Sequence, residues 1–126
     1  MRYALALFVF LCSCATAPEP EPAPEPAPPP PVSQKQETIA VAGLMESARA
    51  DVAAGRLATA AASLERALRI EPRNPRLWHD LAQVRLRQGQ FAQAASLAQR
   101  SNAWVGGDTA LREANDRVIE QARAGR

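Results

Sequence analysis

Cysteine, histidine, lysine and aromatic side chains are all scarce in this 126-residue sequence, and each scarcity removes a class of chemistry. The two cysteines, Cys12 and Cys14, both lie near the start, so the rest of the chain has no disulfide or cysteine-based metal site and must hold together by packing. His79 is the single histidine, with no second ligand type clustered beside it, which argues against a metal site or an imidazole base. Serine, aspartate and glutamate are scattered, without a nucleophile elbow, a phosphate loop or a carboxylate couple. The expectation is a protein that is not an enzyme and uses no metal or dissociable cofactor. Aromatics make up 5% of the residues and do not interleave with basic ones, which makes nucleic acid a poor target. No apolar run reaches the about 20 residues that a membrane-spanning helix needs.

What is present begins with an export signal. Arg2 supplies a positive charge, and residues 4–11 form a short apolar run. The run ends in Leu11-Cys12-Ser13-Cys14, which resembles the lipobox of bacterial lipoproteins. In that family a branched apolar residue sits three places before the modified cysteine and a small residue directly before it. Leu11 and Ser13 meet those demands for Cys14; taking Cys12 instead would put Leu11 beside the cut. The resemblance implies that residues 1–13 are a signal peptide and that Cys14 carries a diacylglycerol on its thiol and usually a palmitate-like chain on its new amine. Each buried methylene contributes about 0.8 kcal/mol, so two or three chains hold the protein on a membrane far better than one. Ala15 stands where inner-membrane retention usually requires Asp, so the resemblance implies an outer-membrane lipoprotein facing the periplasm.

Residues 14–37 read as a linker. Of the chain's 11 prolines only Pro72 and Pro75 lie outside it. Proline fixes φ and removes backbone donors, so the stretch is expected to stay disordered or extended rather than join a helix or sheet. As polyproline II at ~3.1 Å per residue it would span about 60–70 Å. Glu19, Glu21 and Glu25 repel one another and keep it solvated. A spacer between lipid and domain fits these properties better than a ligand for a groove.

Residues 38–126 read as an all-α domain, rich in alanine and arginine and without β-branched runs. Gly55-Arg56-Leu57-Ala58-Thr59-Ala60-Ala61 aligns with Gly89-Gln90-Phe91-Ala92-Gln93-Ala94-Ala95 at an offset of 34. The pattern predicts helices near 38–54, 57–70, 75–88, 91–104 and 108–123. Asn74-Pro75 offers an N-cap and a first-turn proline after Pro72 has stopped the preceding helix. Gly106-Gly107-Asp108 offers a second stop and cap. In the second copy Trp78, Leu81, Ala82, Gly89, Phe91 and Ala94 stand at the signature spacings of the tetratricopeptide repeat, and the sequence resembles that family. The first copy follows it more loosely, with Leu44, Ala48, Gly55, Leu57, Ala60, Leu64, Ala67 and Pro72. The implied fold is a short helix–turn–helix array of two repeats with a capping helix. Gly55 and Gly89 should supply left-handed turns, and Ala48, Ala60, Ala82 and Ala94 should let paired helices cross closely, with Trp78 and Phe91 filling the space beside them. Arg85 departs from the pattern, standing where an aromatic is usual; Asp51 is its counterpart in the first copy, and Ser101 and Gly106 replace the usual Ala and Pro. Two repeats are few for independent stability, so the oligomeric state stays open.

The resemblance places the first helix of each repeat on a concave face. Its groove positions map to Met45, Arg49, Arg76, His79, Gln83 and Arg87, with Arg117 of the cap at the end. Residues 38–126 hold 13 arginines against 9 acids. Arginine's planar fork suits carboxylates, so an acidic or C-terminal peptide segment fits such a groove; the same arginines read equally well as ordinary solvated faces. Anchor, spacer and repeat domain together describe a periplasmic interaction adaptor. Tethered repeat lipoproteins of this kind include activators of bifunctional (class A) penicillin-binding proteins, which act in peptidoglycan biogenesis and must reach through the wall. Pilotins, outer-membrane assembly factors and passive envelope lipoproteins are the alternatives.

Overall fold

The computed structural model describes residues 34–125; the expected signal peptide, Cys14, Ala15 and the proline-rich stretch lie outside the described residues. Five helices run in chain order: α1 (Gln34–Ala53), α2 (Leu57–Ile70), α3 (Pro75–Arg87), α4 (Phe91–Trp104) and α5 (Thr109–Ala124). Four match the expected spans to within one residue at each end. The exception is the start of α1, four residues earlier than expected. Nothing after Pro31 opposes a helix there, and Glu37 in the first turn favours the positive end of the helix dipole. The first buried residue of α1 is Val41, so its opening turns stand clear of the core.

The turns show the repeat most directly. Gly55 and Gly89 take φ of +75° and +74°, where a Cβ would be strained. Around the first, Arg56 N donates to Asp51 O at 2.8 Å and Gly55 N to Val52 O at 3.1 Å. Around the second, Gln90 N donates to Arg85 O at 2.9 Å and Gly89 N to Leu86 O at 3.0 Å. Both are Schellman turns, with the same bonds recurring 34 residues apart. Between the repeats, Asn74 Oδ1 accepts from Arg76 N at 3.0 Å with Pro75 next to the cap. Asp108 Oδ1 likewise caps α5 by accepting from Leu111 N at 2.9 Å. Each cap satisfies a donor that the helix leaves unpaired.

Packing follows from helical spacing. On α2 the buried residues are Ala60, Ala61, Leu64, Ala67 and Leu68; on α5 they are Leu111, Asn115, Val118, Ile119 and Ala122. Each set is one stripe of a 3.6-residue period. One apolar cluster joins α1, α2 and α3 through Val41, Ala48, Ala60, Leu64, Leu77, Leu81 and Val84. A second joins α3, α4 and α5 through Ala82, Ala94, Ala98, Val118 and Ile119. Helix α3 belongs to both and is the centre of the array. Ala48, Ala60, Ala82 and Ala94 are all buried, as close helix crossings require. Trp78 lies half-buried, its Nε1 donating to Pro72 O at 2.8 Å and Arg100 stacked 4.7 Å from its ring centre.

Of the positions that depart from the repeat pattern, Asp51 and Arg85, where an aromatic is usual, carry ion pairs instead. Asp51 takes the guanidinium of Arg56 across the first turn, with Nε 2.8 Å from Oδ1. Arg85 reaches Glu65 on α2 and Gln88 at the end of its own helix, tying one repeat to the next.

Candidate partner-binding groove

On α3, Arg76, Asp80, Gln83 and Arg87 follow an i, i+4, i+7, i+11 spacing and share one face. On α1, Met45 and Arg49 are one turn apart and face them. Between the two helices lies a hollow of about 340 Å³ lined by all six, with Ala48, Val52, Leu64 and Val84 as its apolar floor. A neighbouring hollow of about 340 Å³ opens between α3 and α5, lined by Gln83, Leu86, Arg87, Ala114, Arg117, Val118 and Gln121. Gln83 and Arg87 line both, so the two form one groove across α1, α3 and α5.

Charge in the groove is mostly uncompensated. Arg76, Arg87 and Arg117 make no ion pair among the described residues. The ion pair of Arg49 is with Glu46, at 3.4 Å with both side chains largely in solvent, and contributes little. Asp80 is the one acid of the first hollow. Burial pushes its carboxyl above the ordinary aspartate value of 3.8, against the opposing pull of His79, Arg76 and Arg49. The helical spacing from Arg76 was the signal for Asp80, which the reading of arginines alone passed over.

Six of the seven expected groove residues line this surface: Met45, Arg49, Arg76, Gln83, Arg87 and Arg117. His79 does not. Its side chain is 3% exposed, turned away from the hollow toward α5, where Nδ1 meets Asn115 Oδ1 at 2.7 Å. The physical reason is its angle on the helix, about 60° from Arg76 and outside the groove stripe. The expectation that His79 faces the groove is corrected accordingly. A signal for this burial existed: Asn115 interrupts the apolar stripe of α5, and a polar residue in such a place needs a buried partner.

The arrangement offers recognition: an apolar floor for a side chain, cationic rims for carboxylates, and amide groups for a backbone. Among the described residues there is no group of three metal-ligating side chains and no helix long and apolar enough to cross a membrane.

Comparisons with known proteins agree with the fold. The tetratricopeptide-repeat family profile matches residues 51–115, from the last turn of α1 into α5. Among solved structures, the globular C-terminal domain of P. aeruginosa LpoP is similar, at 44% identity over 68% of this chain and 80% of that chain, with a TM-score of 0.66. Comparison with curated protein sequences returns no match.

Proposed function

The chain belongs to the tetratricopeptide-repeat family, and from that premise we propose that it is a lipid-anchored adaptor whose groove across α1, α3 and α5 grips a protein of the bacterial envelope. The observation that carries this reading is the groove itself: an apolar floor rimmed by Arg49, Arg76, Arg87 and Arg117, of which the last three make no ion pair among the described residues. An acidic or C-terminal peptide segment fits it, its carboxylates taking the guanidinium forks and an aliphatic side chain resting on Val52, Leu64 and Val84.

The rest of the chain gives the groove a place to work. Diacylglycerol on Cys14 holds the protein in the outer membrane, with Ala15 leaving it free of the inner-membrane retention signal. The proline-rich linker then lets the domain reach a partner about 60–70 Å from the lipid surface. The partner we assign is a bifunctional penicillin-binding protein, for which reach through the peptidoglycan mesh is a requirement. The likeness to the P. aeruginosa LpoP domain supports the assignment: that domain is the C-terminal globular part of its protein, as the helical unit here follows the proline-rich stretch.

The test uses the full chain with the purified penicillin-binding protein of the same bacterium. Stimulated glycan polymerisation on adding the chain is the expected result; the absence of both capture and stimulation would refute the assignment. Deleting residues 18–31 should leave stimulation intact with purified components and abolish it in cells, where the tether must span the wall.

A further inference from the structure

Six hydrogen bonds run from the core of the domain to the middle of the groove, and their directions are fixed by groups that have no choice. The carbonyl oxygen of Pro75 can only accept, so Ser101 Oγ spends its one proton there, at 2.8 Å. Ser101 Oγ therefore accepts from Asn115 Nδ2 at 2.7 Å. A second anchor gives the same answer. The Asp116 carboxylate accepts from Asn102 Nδ2 at 3.0 Å, which turns Asn102 Oδ1 toward Asn115 Nδ2 at 2.8 Å. Both anchors make the nitrogen of Asn115 the donor and leave its Oδ1 to face His79 Nδ1 at 2.7 Å. That oxygen only accepts, so His79 carries a proton on Nδ1.

The consequence reaches the groove. Gln83 Nε2 lies 2.7 Å from His79 Nε2 and, as an amide nitrogen, can only donate, which makes that ring nitrogen the acceptor. Gln83 Oε1 is then the free end of the amide, with no partner among the described residues, on a side chain that lines both hollows. Asn115 and Ser101 are fully buried and His79 nearly so, which keeps water from re-orienting the chain of bonds.

We propose that Gln83 is the polarity-determining residue of the groove: the buried relay Pro75–Ser101–Asn115–His79 fixes its amide so that an acceptor faces the bound segment. The groove therefore takes a hydrogen-bond donor at its midpoint, between the arginine rims. The chemistry this selects is a backbone N–H of an extended peptide lying along α3. A proline at that point of the ligand lacks the donor and is rejected, as is a carboxylate, which Gln83 Oε1 repels while the arginines attract it to either side. His79, Asn115 and Ser101 are positioning residues that act through Gln83 and touch no ligand. The proposal rests on the reading of the groove as the partner site.

Two measurements test it. His79 is the only histidine, so long-range nitrogen–proton NMR on the ligand-free full chain reports its tautomer without ambiguity. The expected result at neutral pH is a protonated Nδ1 and a bare Nε2; a protonated Nε2 would reverse Gln83 and overturn the proposal. The second measurement is the affinity of Gln83→Met for the periplasmic region of the bifunctional penicillin-binding protein. Gln83 is exposed, so the variant should fold as the parent does, and it should bind about tenfold more weakly, as when one ligand N–H loses its acceptor. Undiminished binding by Gln83→Met would overturn the proposal even with the expected tautomer. Failure of the parent chain to bind would instead overturn the functional reading, and the ligand half of this one with it; the tautomer result would still decide how the amide points.

Discussion

At the scale of the residue, Asp80 shows how the groove sets a cost against a use. Its carboxyl is held above its ordinary value by burial, although His79, Arg76 and Arg49 all favour the charged form. A carboxyl raised in the fold stays protonated where the unfolded chain has already ionised, so native stability falls as pH rises from about 3.8 through the folded value. Asp80→Asn should therefore raise resistance to urea at pH 7, and its advantage should shrink toward zero below pH 3.8. Equal urea midpoints for variant and parent at pH 7 would contradict this account of the burial. The same carboxylate divides the groove electrically. If the groove holds the partner as proposed, ligand acids belong at Arg76, Arg87 and Arg117, and a ligand cation is tolerated only beside Asp80.

At the scale of the element, the two Schellman turns are the repeat's most repeated feature. Gly55 and Gly89 have matching positive φ, and an added Cβ meets nothing within 4 Å at either. Alanine at either place thus pays for backbone strain alone. Gly55→Ala and Gly89→Ala should each lose about 1 kcal/mol in thermal or chemical unfolding. Unequal losses would mean that the turns differ in more than backbone. These turns, the caps at Asn74 and Asp108, and the alanine crossings were legible in the sequence because each is written in a few adjacent residues. What was not legible has a longer range. The start of α1 has no cap to mark it, and helix-favouring residues simply continue back toward Pro31. His79 and Asn115 are 36 residues apart, and only their meeting across α3 and α5 takes the histidine out of the groove. Glu65, the acid that receives Arg85, likewise lies on the neighbouring repeat.

At the scale of the whole molecule, the groove spans three helices because α3 belongs to both apolar clusters and holds α1 and α5 on either side of it. The capping helix thus does two jobs. It closes the second cluster with Val118, Ile119 and Ala122, and it brings Arg117 and Gln121 to the far end of the groove. Its outer face, with Arg112, Glu113, Asp116, Glu120 and Arg123, meets solvent, as the end of a repeat stack must. In the proposed function, lipid, linker and groove would be three parts of one reaching device, and the groove the part that chooses the partner.

The most direct measurement is the affinity of the full chain for the periplasmic region of the penicillin-binding protein after Arg49→Glu and Arg87→Glu are combined. Both side chains are exposed, so the fold should survive the change. If the groove grips an acidic segment, the double variant should bind about a hundredfold more weakly, and the parent's affinity should fall as salt is raised. Binding that is unchanged by the two reversals and indifferent to salt would contradict the claim that this groove holds the partner.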